Sequence, residues 1–234
     1  MKIKLSIFVF LLLLIVGTLG VFAVPDRESN QTRSFEVSNF DKIYLKGGYK
    51  VFLEQSGKSG LRIKAGEEAF DFIDVASHNG TLEVEITKTY LNFNCVELYI
   101  SFVDLTELHV EGGIKLETAG FIDLHDFYLH VEGGAKIVMG MKVDHLTAVG
   151  EGGASFEFKG VAKKFDARIS GVGYLDADEL TTGSVTFKIE GIGGGSVHAT
   201  EFLDATVEGV GKIRYKGNPE VEKAITGIGL VEKD

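Results

Sequence analysis

The chain has 234 residues, and its 34 acidic against 24 basic side chains give a formal charge of -10, which excludes nucleic acid and anionic membrane surfaces as electrostatic partners. With 44% hydrophobic residues it can fill one sizeable core, and a single Cys excludes a disulfide framework. Thirty Gly, 2 Pro and no Trp agree with a β architecture punctuated by glycine corners.

Residues 1–23 read as a signal peptide. Lys2 and Lys4 form a basic start, Leu5 to Val16 is a leucine-rich run, and Val21-Phe22-Ala23 places small or aliphatic residues where a signal peptidase reads. Cleavage after Ala23 is expected. The alternative is an uncleaved anchor, because the weakly polar stretch Leu5 to Val24 is 20 residues long and would then be the only membrane contact. Residues 24–34 are polar and read as a linker. Export without disulfides fits a bacterial envelope, in the periplasm, the outer membrane or at the cell surface.

Residues 35–104 read as irregular first coils with an N-terminal cap. FDKIYLKGGYKVFLEQ contains two alternating runs around Gly47-Gly48, Glu67 to Phe72 suggests one helical turn, and Asn79-Gly80 is a tight-turn signal between two strands. Cys95, in the alternating run LNFNCVELYI, reads as a buried or half-buried strand residue rather than a reactive thiol.

Residues 105–234 hold a unit that returns seven times: HVEGGIKL, HVEGGAKI, VGEGGASF, RISGVGYL, KIEGIGGGSV, TVEGVGKI and AITGIGLV. Their first glycines are Gly112, Gly133, Gly152, Gly171, Gly191, Gly209 and Gly227, at spacings of 21, 19, 19, 20, 18 and 18 residues. Before each glycine the apolar residues alternate, as in Phe127, Leu129 and Val131, and period two means a strand with one buried face. The glycines mark corners, where a side chain would clash or a positive backbone angle is needed. One such unit is too small to enclose a core, so the units must stack, with like positions about 4.8 Å apart. The expected fold is therefore all-β: a single-domain, right-handed parallel β-helix of 18–21-residue coils.

These elements resemble a bacterial family, the head GIN domain family of adhesin-like domains. FDKIYLKGGYKVFLEQ, the HNGTLEVEI turn and VELYISFVDLTELHVEGG carry the resemblance, which covers the chain from about Phe35 onward. It implies a β-helical envelope protein with a binding or adhesive role, and it brings no catalytic signature.

The position before the corner glycine supplies Glu111, Glu132, Glu151, Glu190 and Glu208, interrupted by Ser170 and Thr226. Stacked, they form a carboxylate column that could hold divalent cations, although Lys115, Lys136, Lys212, Arg168 and Lys188 stand near enough to make it a solvated, neutralised face. His109 and His130 share one repeat position, yet four ligands at metal spacing are not visible, so they read as a surface histidine ladder. His125, His145 and His198 share no register. No metal and no cofactor are expected.

GIGGGS has a strand pattern after it instead of a helix, so it is no phosphate loop. Its two extra residues predict an outward bulge at Gly193, Gly194 and Gly195, a candidate contact point. Asp176, Asp178 and Glu179 form the densest acidic cluster, but nothing gives two of them opposed environments. The reading is a non-catalytic, adhesin-like module for an unidentified extracellular or envelope protein or glycan. A periplasmic structural or regulatory protein and a β-helix lyase or hydrolase acting on polysaccharide are the alternatives.

Overall fold

The computed structural model describes residues 30–87 and 96–234. The signal peptide, most of the 24–34 stretch and Cys95 lie outside them. Twelve strands form one mixed sheet that does not close: β1 (Gln31–Phe35), β2 (Lys42–Gln55), β3 (Gly60–Ala65), β4 (Ile73–His78), β5 (Thr81–Ile86), β6 (Glu97–Phe102), β7 (Glu107–Ile169), β8 (Val172–Ile189), β9 (Ile192–Val207), β10 (Val210–Lys216), β11 (Glu220–Ile225) and β12 (Ile228–Lys233). The helical turn at Glu67–Phe72 is a 3-10 helix between β3 and β4.

Through the glycine repeats the strands pair in parallel and link like positions. Gly153 pairs with Val172, Val172 with Ile192, Ile192 with Val210, and Val210 with Ile228. β2 belongs to the same register, since Gly47-Gly48 pairs with Gly112-Gly113 and Leu45 with Val110. The period-two alternation explains this directly. Residues such as Leu129, Val131, Phe165 and Ile189 turn inward and are buried, while the intervening polar residues face solvent.

The expectation of a purely parallel sheet is corrected at the N-terminal end. β4 and β5 pair antiparallel around Asn79-Gly80, whose φ values of 50° and 78° are those of a type I′ hairpin turn. A two-residue turn can only join antiparallel strands, so the tight-turn signal and an all-parallel sheet were incompatible. β3 runs antiparallel to β6, and β1 antiparallel to β3. The polar stretch read as a linker to residue 34 thus ends in strand β1. As the outermost strand it needs little apolar sequence, and three of its five residues are exposed.

The glycine bulge is a second correction. Gly193, Gly194 and Gly195 pair without offset both to Gly173, Tyr174 and Leu175 and to Gly211, Lys212 and Ile213. The register shifts fall later instead: Ala177 pairs with Val197 and Thr181 with His198, leaving residues 178–180 without partners on β9, and a second shift separates Thr182–Ala199 from Ser184–Phe202. Gly195 is buried at an inward position whose neighbours are Leu175 and Ile213. A Cβ there would lie 2.5 Å from the Leu175 carbonyl oxygen, 2.9 Å from Leu175 Cβ and 3.0 Å from Phe187 Cε1. The missing side chain is the room that the Phe187 ring fills.

Phe187 is also flanked in register by the small residues Ala167 and Ala205. A large ring and its small neighbours share one volume. Gly195→Val should therefore lower stability by about 1–3 kcal/mol through overpacking. Gly134→Ala, where a Cβ meets nothing within 4 Å, should stay within about 0.5 kcal/mol. Urea unfolding of the two variants checks this, and equal losses would refute the packing account.

Candidate functional site

The outward faces of β2 and the start of β7 build one continuous polar surface. Alternation sends Ile43, Leu45, Leu108 and Val110 into the core and leaves Lys42, Tyr44, Lys46, Glu107, His109 and Glu111 on the other face. The register then pairs Lys42 with Glu107, Tyr44 with His109 and Lys46 with Glu111. Each pair makes contact. Lys42 Nζ is 3.1 Å from Glu107 Oε2, Lys46 Nζ is 3.5 Å from Glu111 Oε1, and the Tyr44 and His109 rings stack at 4.5 Å.

Glu107 gathers this end of the surface. Tyr44 Oη donates to its Oε1 at 3.2 Å, and His109 Nε2 lies 2.6 Å from the same oxygen. Burial pushes the Glu107 carboxyl up, but hydrogen bonds from Lys42, His109 and Tyr44 outweigh it and hold the group below its ordinary value. His109 is thereby committed to Glu107. In the next repeat His130 packs edge-on against His109 at 5.2 Å, with Tyr128 beside both rings. A shallow cleft of about 360 Å³ runs along this surface, lined among others by Tyr44, Lys46, Glu85, His109, Glu111 and His130.

The carboxylate column stands beside it, brought into line by the corner glycines. Gly133 lies against the Gly112 backbone and Gly152 against that of Gly133, which places Glu132 next to Glu151. Basic partners reach only the ends of the column. Glu111 meets Lys46; Glu190 meets Arg168 and Lys188; Glu208 meets Lys188 at 3.0 Å. Among the described residues Glu132 and Glu151 have no Lys or Arg partner, and both face His130, at 3.6 and 3.8 Å from its Nε2. Lys115, Lys136 and Lys212, expected near the column, pair with Glu117, Glu157 and Glu232 instead.

The remaining sequence candidates are engaged elsewhere. His125 pairs with Asp144, His145 with Asp166 at 2.7 Å, and His198 lies beside Thr181. Asp178 takes Lys216 at 2.9 Å and Glu179 takes Lys159, so the acidic cluster is spread over separate ion pairs.

Sequence reasoning missed a second surface. Directly after the corner glycine the first three repeats carry Gly113, Gly134 and Gly153, whereas the last four carry Val172, Ile192, Val210 and Ile228. These four are paired in register and lie 47–77% exposed, in a row beside Gly173, Gly193 and Gly211. Tyr174 and Leu230 extend the apolar patch. The change from Gly-Gly to Gly-Val and Gly-Ile in the repeat alignment was the available signal.

The model of the family described as putative auto-transporter adhesin, head GIN domain, matches residues 39–219. The chain belongs to this family. A solved structure, of a putative adhesin from Bacteroides fragilis, is 25% identical with a TM-score of 0.82, over 88% of this chain and 97% of that one. A putative lipid binding protein from Parabacteroides distasonis is 23% identical with a TM-score of 0.70, covering 89% of this chain and 98% of the other. A putative adhesin from Parabacteroides merdae is 20% identical, with a TM-score of 0.66 over 89% and 97% of the two chains. No curated protein matches the chain.

Within this head GIN domain the most strongly perturbed member of the column is Glu190. Lys188 at 2.8 Å is the largest cause; burial opposes it, Arg168 and Ser170 add to it, and the carboxyl is lowered from 4.5 to about 2. A folded value below the unfolded one stabilises the protein above the ordinary carboxylate range, and that contribution is lost as pH falls from 4.5 toward 2. Melting temperature followed over this window should drop more steeply for the parent chain than for Glu190→Gln. Parallel curves would show that the ion pairs add nothing to stability.

Proposed function

We propose that the chain is an exported bacterial envelope protein, a non-catalytic adhesin-like module whose repeats form the coils of a right-handed parallel β-helix. Parallel pairing at offsets of 18–20 residues between like positions supports the coil reading. The basic and leucine-rich residues 1–23, with the adhesin description of the family, support export.

The observation that carries the binding reading is the row Val172, Ile192, Val210 and Ile228. Four aliphatic side chains held in register on an exposed strand face form a contiguous patch, and such patches mark interaction surfaces. The neighbouring Gly173, Gly193 and Gly211 leave a trough floored by backbone. Sugar rings favour aromatic platforms, and Tyr174 alone supplies one here. The surface fits an apolar segment of an extracellular or envelope protein. A formal charge of -10 works against a second copy as the occupant.

Protease shaving of intact cells, with an epitope tag after Asp234, tests the location. Loss of the tag without lysis is expected; survival until the envelope is opened would replace the adhesin reading with a periplasmic one. Binding of the purified chain to immobilised extracellular and envelope proteins tests the face. The double variant Ile192→Asp, Val210→Asp should lose roughly tenfold or more in affinity, since buried aliphatic anchors dominate such contacts. Unchanged affinity, or capture by glycans alone, would rule this face out.

A further inference from the structure

The geometry points to a divalent transition-metal site, of the kind that takes Zn²⁺, formed by His130, Glu132 and Glu151 with solvent as the fourth ligand. The inference does not depend on the aliphatic row or on the protein's location.

His130 and Glu132 are two residues apart on one face of β7, and Glu151 comes from the following repeat at the level of Glu132. One ligand atom from each of the three lies within 4.8 Å of the other two. His130 Nε2 is 3.6 Å from Glu132 Oε1 and 3.8 Å from Glu151 Oε1. With metal–ligand bonds of about 2.1 Å, neighbouring ligands of a tetrahedral zinc stand about 3.4 Å apart. Closing the site needs shifts of a few tenths of an ångström toward His130 and of at most about 1.4 Å between the two glutamates, whose side chains are exposed and free to move.

Two further observations separate this cluster from an ordinary ion pair. Two half-buried histidines of the same protein close onto a carboxylate, His109 onto Glu107 at 2.6 Å and His145 onto Asp166 at 2.7 Å, while the exposed His78 and His125 stand 3.8 and 3.3 Å from Glu83 and Asp144 with water free to satisfy them. His130 closes onto neither of its two carboxylates. Its Nε2 is the one buried histidine nitrogen among the described residues without a hydrogen-bond partner, on a side chain only 17% exposed. A buried polar atom left unmatched calls for an explanation, and an ion is one.

The charge balance agrees. Every other member of the column has a Lys or Arg partner, whereas Glu132 and Glu151 share only His130. One divalent cation between two carboxylates and a neutral imidazole brings the group to zero net charge. The edge-on His109 ring, fixed by Glu107, holds the His130 ring in place. Both carboxylates are more than half exposed, which leaves the ion an entry path and a place for water. The imidazole favours zinc over calcium or magnesium, which prefer all-oxygen sites.

The test is zinc titration of the full chain, free of any affinity tag, in competition with a chromogenic chelator. One zinc per chain at micromolar affinity or tighter is expected. His130→Ala should weaken binding roughly a hundredfold and Glu151→Gln roughly tenfold, while His125→Ala leaves it unchanged. Melting temperatures without zinc separate ligand loss from misfolding, and Glu151→Gln, whose side chain is more than half exposed, should match the parent there. Cobalt in place of zinc should give the intense visible bands of a tetrahedral site. Binding that is equal in the parent and His130→Ala, equally lost in His125→Ala, or displaced by equimolar calcium would overturn the assignment.

Discussion

Backbone-to-backbone contact at the repeat corners is the constraint on which everything else rests. From Gly47 through Gly112 and Gly133 to Gly227, each corner glycine lies against the one before it; a Cβ on Gly209, for example, would land on the Gly191 carbonyl oxygen. Only a column without side chains lets successive repeats approach to strand-pairing distance while the chain bends. Left-handed φ explains part of the choice, since Gly112, Gly133 and Gly152 have it and the later corners do not. Close approach is the requirement common to all seven, and it holds the residue before each glycine in a column.

That dependence explains what was legible in the sequence. The glycine spacing and the period-two alternation report on local geometry repeated many times, so they indicated the β architecture, the inward residues and the membership of Gly47-Gly48 in the stack. The antiparallel strands at the N-terminal end have no repeat behind them. Asn79-Gly80 announced their hairpin, yet the pairing of β3 with β6 and of β1 with β3 joins segments that share no pattern. The register shift at 178–180 was misplaced because GIGGGS counts as an insertion on paper. In the fold Gly195 is an inward position whose side chain has been given up to Phe187, so the glycine run stays in register.

The polar surfaces were legible only as columns. Alternation put Glu111, Glu132, Glu151, Glu190 and Glu208 on one face, but it could not say which carboxylate each lysine would reach. Lys115 goes to Glu117 along its own strand and Lys136 to Glu157 in the next repeat, and so the middle of the column lacks the cations that the spacing seemed to provide. Long flexible side chains choose among several partners within one or two strand spacings, and sequence period carries no information on that choice. The aliphatic row was hidden for a different reason: Val and Ile in a strand read as core unless the inward face is already assigned.

Phe187 carries a last consequence, for how such a chain can change over time. Its ring occupies space belonging to three other positions, Ala167, Ala205 and Gly195, which lie 8 to 20 residues away in sequence. The interior is thus divided into volumes held jointly by successive repeats, and no single repeat owns its part of the core. Repeats of this kind cannot be exchanged or duplicated as independent modules. A change in the size of one residue requires a matching change one rung away, so the repeats drift together as neighbours and lose their resemblance to a common unit while the stack persists.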